Sequence, residues 1–338
     1  MKVLVTDYAW PSLEPERTIL NEVGADLLVA ETGEEEELVR LAPEASGILT
    51  CWKPVTARVL EAASRCVAVG RYGVGLDNIA VRRATELGIV VTNVPTYCVD
   101  DVAEHALALL LACARRLFVF DRSIQGGRYG LEVGRPIHRV RGRALGIVGF
   151  GNIGRRLARK AQALELEILV FDPYWTEPET SDVAVHPCSL DELLQRSDFV
   201  SIHAPLTDDT RGLFGREAFL KMRPGAYLVN TSRGAIVDVA ALTEALDQGR
   251  LAGAALDVLP EEPPGERDPV LRHPRVLVTP HAAFYSVESI LELQETAARQ
   301  MAAALQGTLP RHIVNPELLQ QHRHARLTGR STATHAAP

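Results

Sequence analysis

Residues 145 to 172 read LGIVGFGNIGRRLARKAQALELEILVFD, and Gly149, Gly151 and Gly154 within them are spaced G-x-G-x-x-G. That spacing suits a pyrophosphate. The first glycine permits a tight turn, the second lets the anion approach bare backbone, and the third lets a helix pack against a strand. The amides of Asn152 and Ile153 then stand at a helix N-terminus, where unpaired N–H groups and the helix dipole favour negative charge. Asp172 lies 18 residues past Gly154 at the end of the next apolar run, and can accept hydrogen bonds from both adenosine ribose hydroxyls. A 2′-phosphate would be repelled there, and Pro173 and Tyr174 supply no cation for one. The pattern points to NAD rather than NADP. A lone G-x-G-x-x-G could be a turn in some other α/β protein, but the strand before, the helix after and the acid in place argue against that.

A second set of reactive residues ends four later apolar runs. Phe199 to Ile202 leads into His203-Ala204-Pro205, Ala226 to Asn230 into Thr231-Ser232-Arg233-Gly234, Gly253 to Leu256 into Asp257, and Val276 to Thr279 into Pro280-His281. Glu262 follows the third run, within LPEEPP. Ligands of open α/β sheets bind outside the carboxyl ends of strands, so loops at one edge can gather Arg233, Glu262 and His281 despite their separation. Each has an ordinary structural reading: an ion-pairing arginine, a solvent-exposed acid in a proline-rich turn, a capped core histidine. Together, at the edge that also carries a dinucleotide, those readings weaken. Earlier in the chain, GRYGVGLDNI (Gly70 to Ile79) follows a strand, and its free amides suit a smaller anion such as a carboxylate; a plain loop is the alternative.

These residues need a scaffold, and the apolar pattern supplies one. Strands alternate with helices from Lys2 to Thr279, which predicts parallel sheets covered on both faces. The acidic run Glu34–Glu37 reads as a solvated helix start, and Asp77 as a cap for a helix near Asn78. One long apolar helix is expected from Asp100 or Asp101 to about Phe120, with His105 at its surface or an interface. A second runs from Val287 to Leu305. Residues 123 to 142 (SIQGGRYGLEVGRPIHRVRG) read as a basic connecting segment, available for a subunit contact or simple solvation. The tail from about Gln320, with His322, His324 and His335, is expected to be disordered.

With 46% hydrophobic and 23% charged residues among 338, the chain has core enough for two domains. A formal charge of −7 argues against a nucleic-acid surface. The five cysteines are scattered, which fits reduced, buried thiols and no zinc site. No signal peptide and no membrane-spanning run is evident, so a cytoplasmic protein is expected.

The chain resembles the D-isomer-specific 2-hydroxyacid dehydrogenase family over almost all of residues 1 to 318. RYGVGLDNIA, NVP…VAEHA, LGIVGFGNIG, HAPLTDDTRGLF, RPGAYLVNTSRGAIVD, GAALDVLPEEPP and TPHAA carry the likeness. FDPY, TPHAAFYS and the RPIHRVRG segment are most similar to the C-terminal binding protein branch. The resemblance implies that Arg233 holds the substrate carboxylate and polarises the C2 oxygen, with the amides of Val74 and Gly75 on the carboxylate's other side. His281 would exchange the hydroxyl proton, and Glu262 would fix its tautomer. His203, Pro205, Thr231, Ser232 and Asp257 would line the cofactor, Asp257 at the nicotinamide end. No metal is needed. Phe284 stands where that branch typically carries a pocket tryptophan. Lys53, beside Trp52, is either a further anion contact or a surface lysine.

The expected architecture is α/β, with two doubly wound parallel-sheet domains. A Rossmann NAD-binding domain (99–286) is inserted into a discontinuous flavodoxin-like substrate domain (1–98 plus 287–318), with 319–338 as tail. The expected activity is interconversion of a D-2-hydroxyacid and its 2-ketoacid with NAD(H), working as a 2-ketoacid reductase, in a homodimer. A corepressor-like NAD(H)-sensing protein, and a dehydrogenase for a phosphonate or phosphorylated 2-ketoacid helped by Lys53 or Arg71, are the alternatives.

Overall fold

The structure, a computed structural model, describes residues 1–176 and 183–320, so the tail histidines lie outside the described residues. The chain divides into two compact units, Met1–Tyr97 together with the chain from Ser286, and Cys98–Tyr285.

The first unit opens with β1 (Lys2–Val5), α1 (Glu14–Asn21), β2 (Asp26–Val29), α2 (Glu35–Leu41), β3 (Gly47–Thr50), α3 (Ala57–Ala62), β4 (Ala68–Arg71), α4 (Val81–Leu87) and β5 (Val90–Thr92). Its strands are all parallel in the order β2-β1-β3-β4-β5. Every residue of β3 and β4 is buried, as strands covered on both faces require. The acidic run is more than a solvated helix start. Glu37 accepts from the amides of Glu31, Thr32 and Gly33 and from the Thr32 hydroxyl, and these bonds, the hydroxyl's foremost, pull its carboxyl down to about 2. Nor does a helix start near Asn78. α4 begins at Val81, and the Asn78 side chain donates to the carbonyls of Cys51 and Lys53 at 3.2 and 3.1 Å.

The second unit holds α5 (Val99–Ala114), α6 (Leu117–Gln125), β6 (Ala144–Val148), α7 (Asn152–Gln162), β7 (Glu167–Phe171), β8 (His186–Pro187), α8 (Leu190–Arg196), β9 (Phe199–Ile202), α9 (Arg216–Lys221), β10 (Ala226–Asn230), α10 (Val239–Asp247), β11 (Leu251–Leu256), α11 (Pro269–Arg272) and β12 (Val276–Val278). Seven parallel strands run β12-β11-β10-β9-β6-β7-β8, the doubly wound order whose direction reverses at β6. The single long helix expected from about Asp100 is two, α5 and α6. Arg116 between them adopts φ 56, left-handed backbone that cannot continue a helix. Side-chain caps start α8 at Ser189, α10 at Asp238 and α11 at Asp268.

The chain then returns to the first unit through α12 (Val287–Leu305), started by a capping box between Ser286 and Ser289. Beyond it, buried Asn315 accepts from the Val91 amide at 2.8 Å and donates to the Ile89 carbonyl at 3.0 Å, pinning the C-terminal segment to β5. All five cysteines are free, and no described helix is long and apolar enough to cross a membrane.

Candidate active site

The glycine loop leaves β6 at the reversal point, and each glycine has a different reason to lack a side chain. Gly149 adopts φ 92, and a Cβ there would lie 2.5 Å from the Ala204 amide nitrogen. A Cβ on Gly154 would lie 2.4 Å from the Gly149 carbonyl oxygen, so α7 packs directly on the turn. A Cβ on Gly151 would meet nothing within 4 Å. Packing does not explain Gly151, the second glycine of the motif, but space for a ligand does. Gly151 is also the N-cap of α7, which has no side-chain cap, so first-turn amides remain for an anion. Arg155, not singled out in the sequence, donates from Nε to the Phe150 carbonyl at 3.1 Å and fastens the loop to its helix. Asp172 accepts from the Phe150 and Tyr174 amides at 2.7 and 2.9 Å, which orients its carboxylate beside the loop. At the end of β10 the Thr231 hydroxyl is buried without a hydrogen-bond partner among the described residues. An open glycine, an uncapped helix start and an orphaned hydroxyl fit a dinucleotide laid along this edge.

Arg233, Glu262 and His281 are joined at the same edge by a continuous set of contacts. The buried Asn230 side chain accepts from the Ser232 amide at 3.0 Å and donates to the Arg233 carbonyl at 2.9 Å, shaping the loop after β10. The Ser232 hydroxyl donates to the Ala204 carbonyl at 2.5 Å, tying that loop to the one after β9. Gly234 lies against the loop after β11 so closely that a Cβ would be 1.9 Å from the Leu259 carbonyl carbon. The Leu259 amide holds Glu262 Oε1 at 2.8 Å, and Glu262 Oε2 meets His281 Nδ1 at 2.6 Å. Burial alone would raise the Glu262 carboxyl, but the hydrogen bond and charge of His281, the Leu259 amide and the Arg233 charge bring it below its ordinary value. The ionised carboxylate therefore accepts the Nδ1 proton and leaves Nε2 as the ring nitrogen able to exchange protons. His281 itself has φ 51, a left-handed backbone that histidine rarely adopts and that costs about 1–3 kcal/mol.

Asp257 explains how that backbone is held. Its carboxylate, with no exposed surface, accepts from the Ala282 and Ala283 amides at 2.9 Å each and from the Thr279 hydroxyl at 2.5 Å. Its own carbonyl receives the His281 amide at 2.7 Å. Asp257, expected at the nicotinamide end, thus has its side chain committed to building the turn that carries His281. His105 supports it, with Nε2 at 3.1 Å from the Thr279 hydroxyl and 3.4 Å from Asp257 Oδ1. Burial would raise the Asp257 carboxyl, but His105, Thr279 and the two amides together lower it. His105, expected at a helix surface or an interface, thus also braces the turn that carries His281.

Other expected site residues have different surroundings. His203 lays its backbone against Gly149, but its ring bonds Ser201 Oγ at 2.8 Å, and burial pushes its pKa down to about 4, leaving a neutral core imidazole. Pro205 accepts at its carbonyl from the Thr210 hydroxyl at 2.7 Å. Phe284 stands edge-on to His281, ring centroids 6.2 Å apart. Within the first unit, Val74 and Gly75 follow β4, with the Val74 carbonyl held by Asn93 at 2.8 Å. Lys53 does not offer a spare charge there: its ammonium is 2.6 Å from Glu34, brought close by the Gly33 turn packed on the lysine stem. Asp7, unnoticed in the sequence, binds the Cys51 and Trp52 amides at 3.0 and 2.8 Å.

A doubly wound sheet with its glycine loop at the reversal point, and an arginine and a carboxylate-backed histidine along the same edge, defines a nicotinamide-dependent oxidoreductase. The family described as D-isomer specific 2-hydroxyacid dehydrogenase, NAD binding domain, matches residues 107–283. A D-3-phosphoglycerate dehydrogenase from Archaeoglobus fulgidus is 37% identical over 316 residues, covering 93% of this chain and 59% of its own. A glyoxylate reductase from Korarchaeum cryptofilum is 41% identical over 271 residues, covering 79% of this chain and 81% of its own. The TT0316 protein from Thermus thermophilus superposes with a TM-score of 0.84 at 32% identity, covering 93% of this chain and 100% of that one. The chain belongs to the D-isomer-specific 2-hydroxyacid dehydrogenase family, and its cofactor is NAD. These relatives do not single out the C-terminal binding protein branch.

Proposed function

We propose that the protein interconverts a small D-2-hydroxyacid and its 2-ketoacid with NAD(H) and works as a 2-ketoacid reductase. The 2.6 Å contact between His281 Nδ1 and Glu262 carries this reading, because it sets one imidazole nitrogen as a fixed donor and the other as the proton exchanger. Bound NADH supplies the hydride to C2. The Arg233 guanidinium holds the substrate carboxylate and draws charge onto the C2 oxygen, a task its forked donors suit. His281 gives a proton from Nε2 to that oxygen and takes it back in the oxidising direction. Glu262 remains ionised throughout and stabilises the imidazolium. Asp257 and His105 hold the turn that aims the ring.

The name of the Korarchaeum cryptofilum relative supports a short 2-ketoacid such as glyoxylate. The pairing of Lys53 with Glu34 counts against Lys53 as a clamp for a phosphonate or phosphate. A corepressor-like role would leave the His281–Glu262 pair without purpose. By resemblance, the enzyme is a cytoplasmic homodimer. The test is NADH oxidation by the purified protein with glyoxylate, hydroxypyruvate, 3-phosphohydroxypyruvate and phosphonopyruvate. Turnover on the unphosphorylated acids is expected. Tight NADH binding with no turnover on any acid would overturn the proposal, and turnover confined to the phosphorylated or phosphonate acids would overturn the substrate assignment.

A further inference from the structure

The edge of the seven-stranded sheet opposite the active site carries a cavity of about 480 Å³. β6, β9, β10, β11 and β12 all start beside it, and part of its wall is the basic connecting segment before β6 to which the hydride-transfer reading gives no task. Its polar lining is lopsided. Arg116, Arg135, Arg143 and Arg275 bring four guanidinium groups, with His138 among them, against the single carboxylate of Asp198. That carboxylate is already taken by Arg143, by Arg223 at 3.2 Å and by the Ala144 amide at 3.0 Å.

The remaining cations have no negative partner among the described residues. Arg116 and Arg275 donate to the carbonyls of Ala252 and Leu246 at 2.8 and 2.9 Å, which satisfies N–H groups but neutralises no charge. Arg116 Nε is buried with no hydrogen-bond partner among the described residues, on a residue strained into the left-handed region at φ 56. Its guanidinium lies 5.4 Å over the Tyr227 ring, which in turn stacks on Phe199 at 5.7 Å. The cavity thus has an aromatic wall and a cationic rim, in a chain whose formal charge is −7. Its volume falls within the range of small-ligand pockets, about 300–1,000 Å³.

We propose that this cavity is a second binding site, separate from the hydride-transfer site, for a small organic polyanion whose phosphate or carboxylate groups are gripped by Arg116, Arg135 and Arg275. Forked guanidinium donors match both groups, and the aromatic wall accepts the ligand's carbon frame.

Calorimetric titration of inorganic pyrophosphate, and separately of citrate, into the full-length NADH-saturated protein tests this. One equivalent is expected to bind per chain, with equal affinity in Arg233→Gln, whose loss of turnover reports on the active site independently. The Arg135→Gln/Arg275→Gln variant, altered at two positions on the rim, is expected to bind about tenfold more weakly or worse while keeping NADH affinity and turnover. Binding of pyrophosphate alone would assign a phosphorylated ligand, and binding of citrate alone a polycarboxylate. The proposal is overturned if neither probe saturates, if Arg233→Gln abolishes binding, or if the double variant binds as tightly as wild type. It is also overturned if the double variant merely dissociates into monomers on light scattering, which would make the cavity a contact between copies.

Discussion

Replacing Gly234 with alanine has a definite geometric consequence. The new Cβ would lie 1.9 Å from the Leu259 carbonyl carbon, 2.2 Å from its oxygen and 2.3 Å from Pro260 N, all backbone atoms that cannot swing aside. Carbon–carbon contact needs roughly 3.5 Å, so the loops must part by roughly 1.6 Å, the difference from 1.9 Å. That movement passes to the Leu259 amide, from there to Glu262 at 2.8 Å, and on to His281 at 2.6 Å. Misplacing a catalytic group by about 1 Å costs about 100-fold, so kcat/KM for glyoxylate should fall by about that factor or more, equivalent to roughly 2.7 kcal/mol. Overpacking should also lower folding stability by about 1–3 kcal/mol. The new Cβ does not meet the glycine loop after β6, so NADH affinity should fall by less than kcat/KM. Steady-state kinetics, thermal melting and fluorescence titration of NADH on one preparation separate the three effects. A folded Gly234→Ala variant with kcat/KM within about twofold of wild type would refute the coupling of these loops.

Three further perturbations probe the rest of the site. Asp172→Ala should weaken NADH binding and erode the preference over NADPH, by about tenfold for a lost charge-assisted hydrogen bond, and unchanged titrations of both cofactors would contradict its placement. His105→Ala should lower kcat by about tenfold with NADH affinity intact, and His105→Gln, which can still donate to Asp257, should recover most of it; an unaffected alanine variant would refute the positioning role. The Glu262 carboxyl sits below its ordinary value of 4.5, so its pairing with His281 persists above that pH and is lost as pH falls through the lowered value. The activity advantage of wild type over Glu262→Gln should therefore shrink as pH falls below 4.5. An advantage that does not shrink at any pH below 4.5 would show that the carboxylate charge is not what matters.

The periodic parts of this fold were legible from residue types alone. β9, β10 and α12 begin and end where the apolar pattern places them, since buried parallel strands and an amphipathic helix write their burial into hydrophobicity. The dinucleotide loop was legible because its glycines obey a spacing that few other demands produce. Features set by packing were hidden. Nothing in Arg115-Arg116 marks a helix break, because its cause is a left-handed backbone held from outside the helix. β8, two residues long, carries no periodicity. Gly234 looks like any loop glycine until Leu259 is seen lying on it, and Asn230 reads as a polar strand end until its amide is found bridging Ser232 and Arg233. His105 stands 152 residues from Asp257 in sequence, so only the folded sheet and α5 could reveal their contact.

Proton exchange at His281 is the step on which the proposed reaction depends most. Single-turnover oxidation of NADH by glyoxylate, compared between wild type and His281→Ala with NADH affinity measured alongside, tests it most directly. The predicted result is NADH binding close to wild type with hydride transfer slowed by about 10²- to 10⁴-fold, the usual contribution of a positioned acid–base group. A His281→Ala protein that binds NADH and transfers hydride at the wild-type rate would contradict it.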